Sequence, residues 1–130
     1  MAAKMPISSK VKRFGGLILI ALAIAPSHAF TEKNTGWFLR LYADGSPEDR
    51  QMVETYLSNN QNGFHWANEA QAMESRPKLY CAPTELTPTG GQLLETVRLQ
   101  VKADPRTLLI PFGFALLLSM QTTYPCKFAQ

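Results

Sequence analysis

The sequence predicts an all-α fold, a small single-domain bundle of about four helices closed by one disulfide and preceded by a signal peptide. Three observations carry this. Apolar residues recur at three- and four-residue spacing in separate stretches with helix-start signals, and no stretch alternates convincingly as a strand does. An uncharged apolar run near the N-terminus has the anatomy of an export signal. The chain has two cysteines, and in an exported protein an even count reads as a disulfide.

The basic residues Lys4, Lys10, Lys12 and Arg13 precede the uncharged run Phe14 to Pro26, centred on Leu17-Ile18-Leu19-Ile20-Ala21-Leu22-Ala23-Ile24. Ser27-His28-Ala29 then places small residues first and third before a cut between Ala29 and Phe30. Residues 1–29 are therefore expected to be a cleaved signal peptide, and 30–130 the mature domain. The run falls short of the roughly 20 apolar residues that a membrane anchor needs. The whole chain carries 13 Lys plus Arg against 10 Asp plus Glu. Residues 1–29 hold four of the basic residues and none of the acidic ones, so the mature balance is nine against ten, a formal charge of −1. The basic character belongs to the export signal, and no basic stripe is left to follow phosphates, which argues against nucleic acid as a partner.

Cys81 and Cys126 both lie in the mature region. Closing a loop of that length stabilises a domain by roughly 4 kcal/mol in the chain-entropy picture, which matters where a small core supplies little. No CxxC and no histidine near either cysteine supports zinc.

Each helix has its own signal. Thr35 is expected to cap a short first helix carrying Trp37, Phe38, Leu41 and Tyr42 and ending at Asp44-Gly45. Ser46-Pro47-Glu48-Asp49 is the clearest start, combining a capping hydroxyl, proline at the first helical position and two acids at the positive end of the dipole. From there Met52, Val53, Tyr56, Leu57, Asn60, Phe64, Ala67 and Ala70 predict one face of a helix running to about Met73, with Gly63 as a candidate break. Pro83, Pro88 and Gly90-Gly91 forbid long regular structure between Arg76 and Gln92. Thr89 and Gln92 have capping-box spacing before the apolar positions Leu93, Leu94, Val97 and Val101. Asp104-Pro105 is expected to start the last helix, which carries Leu108, Leu109, Phe112, Phe114 to Leu118 and Met120, is kinked by Pro111 and ends at Tyr124-Pro125-Cys126. Its strongly apolar part is too short to span a bilayer and suits a central buried helix.

Catalytic chemistry has little to draw on. His65 is the sole histidine of the mature region, beside Trp66, and reads as a surface or boundary residue. Ser58, Ser75 and Ser119 lie in no nucleophile-elbow context. Gly90-Gly91 lacks the strand and lysine of a phosphate loop. No catalytic, cofactor-binding or metal-ligating residues are expected, and no enzyme. The aromatic residues Trp37, Phe38, Tyr42, Tyr56, Phe64 and Trp66 read mostly as core, with one or two free to anchor a partner. The loop Lys78 to Gly91 is polar, stiffened by proline and tied at Cys81, so its shape is set before a partner arrives and binding costs less ordering. Lys78, Tyr80, Thr84, Glu85 and Thr87 are its candidate contact residues.

The order of these features resembles the Rap/Tai family of periplasmic immunity proteins, which protect bacteria from cell-wall amidases delivered by type VI secretion. The resemblance covers about Phe38 to Cys126. It rests on Pro47-Glu48-Asp49-Arg50, Tyr80-Cys81-Ala82-Pro83, Gln92-Leu93, Asp104-Pro105-Arg106, and Ala115-Leu116 through Tyr124-Pro125-Cys126. Many relatives carry a further cysteine pair where this chain has Tyr42 and Val53, and a Gly-Tyr-x-x-Gly turn that here reads Thr55-Tyr56-Leu57-Ser58-Asn59. Loss of both cysteines together is what a missing disulfide should look like. The resemblance implies a periplasmic immunity protein that, as a homodimer, binds a peptidoglycan amidase effector and plugs its active-site cleft, with no membrane association after the signal is cut. Two alternatives belong to other classes. An acid-activated periplasmic chaperone would change oligomer state strongly with pH. An envelope protein that retains the fold without a toxin partner would be encoded away from any effector gene.

Overall fold

The computed structural model describes residues 33–127. The expected signal peptide and its cleavage site lie outside the described residues. Four α-helices follow one another: α1 (Thr35–Asp44), α2 (Pro47–Met73), α3 (Gly90–Ala103) and α4 (Phe112–Thr123), with a short 3-10 helix, Pro105–Leu109, between the last two. No strand forms among the described residues; Asn34 and Pro111 make an isolated bridge.

Local chemistry explains most boundaries. Asn34, rather than Thr35, caps α1, its side-chain oxygen accepting from the Trp37 backbone N–H at 2.9 Å. Thr35 is needed elsewhere: it is fully buried, and both its backbone N–H and its hydroxyl donate to the Ile110 carbonyl at 2.9 Å. Ser46 and Asp49 form a reciprocal capping box at the start of α2, and Thr89 and Gln92 form another at α3. The α2 helix runs unbroken through Gly63. A single glycine costs a helix about 1 kcal/mol, and the buried anchors Val53 and Leu57 before it and Asn68 after it hold the helix across that point. Ser75, at φ 54°, ends α2; the Arg76 N–H returns to the Gln71 carbonyl and the Ser75 N–H to that of Ala72, the paired bonds of a Schellman motif.

The last helix is split rather than kinked. Asp104 caps the 3-10 helix through the Arg106 N–H, whereas Ile110 is extended at φ −92°, ψ 162°, as a residue before proline prefers. Pro111 brings no N–H to continue a ladder, and α4 starts afresh at Phe112.

As predicted for the apolar C-terminal stretch, α4 is central, touching α1, α2 and α3. Phe112, Ala115, Leu116 and Met120 join Phe38, Val53, Leu57, Leu93, Leu94, Val97 and Tyr80 in one core. Phe38 stacks on Phe112 at 4.5 Å between centroids and meets Tyr56 in a tilted contact at 4.9 Å, which fixes α1 over the α2–α4 crossing. Gly90 permits the tightest helix approach. A Cβ there would lie 2.6 Å from the Glu54 carbonyl oxygen, so any larger residue pushes α3 off α2. Leu109, Met52 and Ala70, placed by periodicity on apolar faces, are exposed, and so is Trp66, at 69%. No helix of the described residues is long and apolar enough to cross a membrane.

Candidate functional site

The connection from α2 to α3 crosses the molecule as a wall standing off α2, and the space between them is a cleft of about 360 Å³. One side is a single helical face, with Ser58, Gln61, Asn62, His65 and Glu69 at three- and four-residue steps. The other is the connection itself, through Lys78 and Ala82 and then Thr84, Leu86 and Thr87, the last three between two prolines, Pro83 and Pro88.

The wall is fastened along its first residues from both directions. On the α2 side, Asn68 is 6% exposed and accepts from the Leu79 N–H at 2.6 Å while its amide donates to the Tyr80 carbonyl at 3.0 Å. One side chain thus satisfies a backbone donor and a backbone acceptor of two consecutive residues of the wall. On the α4 side, Cys81 is bonded to Cys126, the Cys81 N–H donates to the Tyr124 carbonyl at 2.8 Å, and the Gln121 amide donates to the Leu79 carbonyl at 3.1 Å. Both cysteines are in the disulfide. Beyond Cys81 the fastening stops until the Thr89 capping box, apart from one turn in which the Leu86 N–H donates to the Pro83 carbonyl.

Of the five candidate contact residues, Lys78, Thr84 and Thr87 line the cleft and have accessible side chains, and Glu85 is exposed on the same segment but outside the lining. Tyr80 also reaches the cleft, yet it is 3% exposed and packs in the core. Its ring is wall foundation rather than contact surface, because the Asn68 and disulfide clamps on either side draw it inward. Burial raises the Tyr80 phenol above its ordinary pKa, partly offset by a hydrogen bond with Gln61. Lys78 and Glu69 approach to 3.9 Å across the rim; exposed as they are, the pair adds little stability but leaves the rim without net charge. His65 is exposed at the edge of the cleft, its ring 5.4 Å from that of Trp66.

Asn68 and Gln61 were not singled out by sequence reasoning. The available signal for Asn68 was a polar residue four positions after Phe64 and eleven after Leu57, in register with the buried stripe. Among the described residues no cluster of three or more His, Cys, Asp or Glu is placed to hold a metal ion. What the cleft offers is hydrogen bonding from amides and hydroxyls, between a rigid helix and a segment fixed at both ends. The chain matches no family model, and no curated protein or solved structure matches it either.

Proposed function

We propose that this domain is a periplasmic immunity protein that binds a cell-wall amidase effector of type VI secretion and blocks its active-site cleft stoichiometrically. The observation that carries the reading is the segment 82–88. Its ends are fixed by the Cys81–Cys126 disulfide and the Thr89 capping box, while its middle offers exposed Thr84, Glu85 and Thr87 and makes one internal backbone hydrogen bond. Such a segment presents unpaired backbone and polar side chains in a shape set beforehand, which lowers the ordering cost of inserting into a partner. The Tyr80-Cys81-Ala82-Pro83 and Tyr124-Pro125-Cys126 elements that resemble the immunity family are the same residues that build this anchorage.

The acid-activated chaperone reading needs carboxylates whose protonation releases the fold. Every Asp and Glu among the described residues is at least partly exposed, so protonation has little buried charge to act on.

The direct test is inhibition of the amidase encoded beside this gene, measured on cell-wall substrate with increasing mature protein. Inhibition saturating at an equimolar ratio is expected, and Thr84→Arg or Thr87→Arg should weaken it at least tenfold with the thermal midpoint unchanged. Failure to bind the amidase, together with failure to protect cells on co-expression, rejects the reading.

A further inference from the structure

Several polar side chains around the cleft are left without a partner. Ser58 and Asn62 on α2, and Thr84 and Thr87 on the wall, line it and make no side-chain hydrogen bond among the described residues. Ser58 differs in this from Thr96, Ser119, Thr122 and Thr123, whose hydroxyls donate back to their own helices. Gln61 is held in place by its hydrogen bond with the buried Tyr80 phenol. Formal charge in the lining is confined to Lys78 and Glu69, which lie 3.9 Å apart and offset each other. Facing the polar helix, the wall adds apolar surface from Ala82, Pro83, Leu86 and Pro88.

We infer that this cleft binds a neutral saccharide, a ligand with hydroxyls round the edge of its ring and C–H groups on its faces. An ionised ligand would leave water for a site whose two charges already pair, and a buried charge without a partner is costly. An extended peptide is neutral too, but it is held by a strand edge that offers N–H and C=O groups in turn. The wall has no such edge. Pro83 and Pro88 bring no N–H, and the Leu86 N–H is engaged with the Pro83 carbonyl in a turn. The wall therefore offers more acceptors than donors, which suits a ligand that donates from several hydroxyls. Across from it, the hydroxyl and amide heads of Ser58, Gln61 and Asn62 stand at three- and four-residue steps. Each can both donate and accept, as neighbouring sugar hydroxyls require. The apolar side chains of the wall then cover the C–H face of the ring.

The size agrees. About 360 Å³ is near the lower end of the roughly 300–1,000 Å³ of small-ligand sites, the scale of a mono- or disaccharide. Both sides are fixed before a ligand arrives, α2 by Val53, Leu57 and Asn68 in the core and the wall by the disulfide and the Asn68 clamp, so little ordering is required. Tyr80 is packed in the core and leaves its ring face closed to stacking. Binding through hydrogen bonds and aliphatic contacts alone should therefore be weak, with a Kd of about 1 mM. The inference needs neither the family resemblance nor an amidase, so it stands or falls apart from the proposed function.

The test is an amide NMR titration of the mature protein with glucose, maltose and N-acetylglucosamine, set beside glucuronate and a blocked trialanine peptide. Saturable shifts at Ser58, Asn62, Thr84 and Thr87 are expected with at least one neutral sugar, and the best of the three tells whether an acetamido group is read as well as hydroxyls. Asn62→Leu and Thr84→Val should each weaken binding at least fivefold and together at least tenfold. Met73→Ala, at an 88% exposed position outside the cleft, should leave it unchanged. All three positions are exposed, and an unaltered thermal midpoint checks that each variant folds. No saturable shift with any neutral sugar up to about 50 mM, well above the expected constant, overturns the inference, as do shifts spread evenly over the surface. Glucuronate binding as tightly as glucose overturns the preference for a neutral ligand. A peptide that binds more tightly than every sugar gives the cleft to a protein segment instead.

Discussion

The two proline-bearing connections of this bundle are secured in opposite ways. The shorter, from Asp104 to Pro111, is absorbed into the fold. Thr107 is 3% exposed, the Ile110 carbonyl accepts twice from Thr35, and Pro111 bridges Asn34. The longer, from Arg76 to Thr89, is fastened at points, by Asn68, the disulfide and a capping box, and keeps most of the backbone from 82 to 88 unpaired. In the shorter connection the Ile110 carbonyl and Thr107 are turned to the fold, although Leu109 remains exposed. Point fastening holds a shape while leaving donors and acceptors free, so the second connection is where binding is to be sought.

The largest expected effect separates the two at once. Cys81→Ser with Cys126→Ser should cost about 4 kcal/mol for a bridge spanning 45 residues, read from the denaturant midpoint. Amide exchange in native conditions should accelerate more at the bonded amides of Leu79 and Cys81 than at Thr107. Equal acceleration in both connections would show that the disulfide serves the whole bundle rather than this wall.

Asn68 should come next. Asn68→Ala strands the Leu79 N–H and the Tyr80 carbonyl, at roughly 2–3 kcal/mol for buried groups left without partners. Asn68→Asp is more telling, because an ionised carboxylate accepts from Leu79 but repels the Tyr80 carbonyl, whereas the protonated acid restores both bonds. The folded-state pKa of the introduced acid is thereby raised, so its favourable contribution is complete below the unfolded pKa and is lost as pH rises through the folded one. Thermal midpoints of Asn68→Asp and wild type should converge on acidification; parallel profiles would remove the clamp from the account.

In the absorbed connection single changes should matter less. Thr35→Val removes one of two donors to the Ile110 carbonyl and leaves the backbone bond, a loss of about 1 kcal/mol by chemical denaturation. A loss as large as that of Asn68→Ala would erase the contrast between distributed and point fastening. The smallest effect has the opposite pH sign to Asn68→Asp. The Asp104 carboxyl is held below its ordinary pKa, first by the Arg106 side chain and then by the Arg106 backbone N–H. Its contribution is present above the unfolded pKa and fades as pH falls through the folded one. Proton NMR titration of Asp104 in wild type and Arg106→Gln should show the midpoint rising in the variant.

Legibility in the sequence followed range. The Thr89–Gln92 capping box, the start of α2 at Ser46-Pro47 and its end near Met73 are written within a few residues and were readable there, whereas the reciprocal bond from Asp49 to Ser46 was not read. The Thr35 role was not, because its partner Ile110 lies 75 residues away and the local rules favour threonine as a cap. Periodicity found α2 but assigned Met52 and Ala70 to its buried face, since a helix with apolar residues on two faces satisfies the same three-and-four spacing either way. Trp66 was grouped with five other aromatics read mostly as core by residue type, with one or two left to anchor a partner, and it is exposed. The disulfide followed from a count of two, whereas the Asn68 clamp depends on a side chain meeting peptide groups eleven and twelve residues on, which no spacing rule encodes.

The bridge also has a consequence in time. A chain made from its N-terminus onward exposes Cys81 as a lone thiol until another 45 residues have followed it, and by then α3 and α4 have emerged. The wall of the cleft is thus locked only after α4, at the centre of the core, has been made, and a chain that stops between Thr123 and Cys126 has all four helices but an unlocked cleft and an unpaired Cys81 thiol.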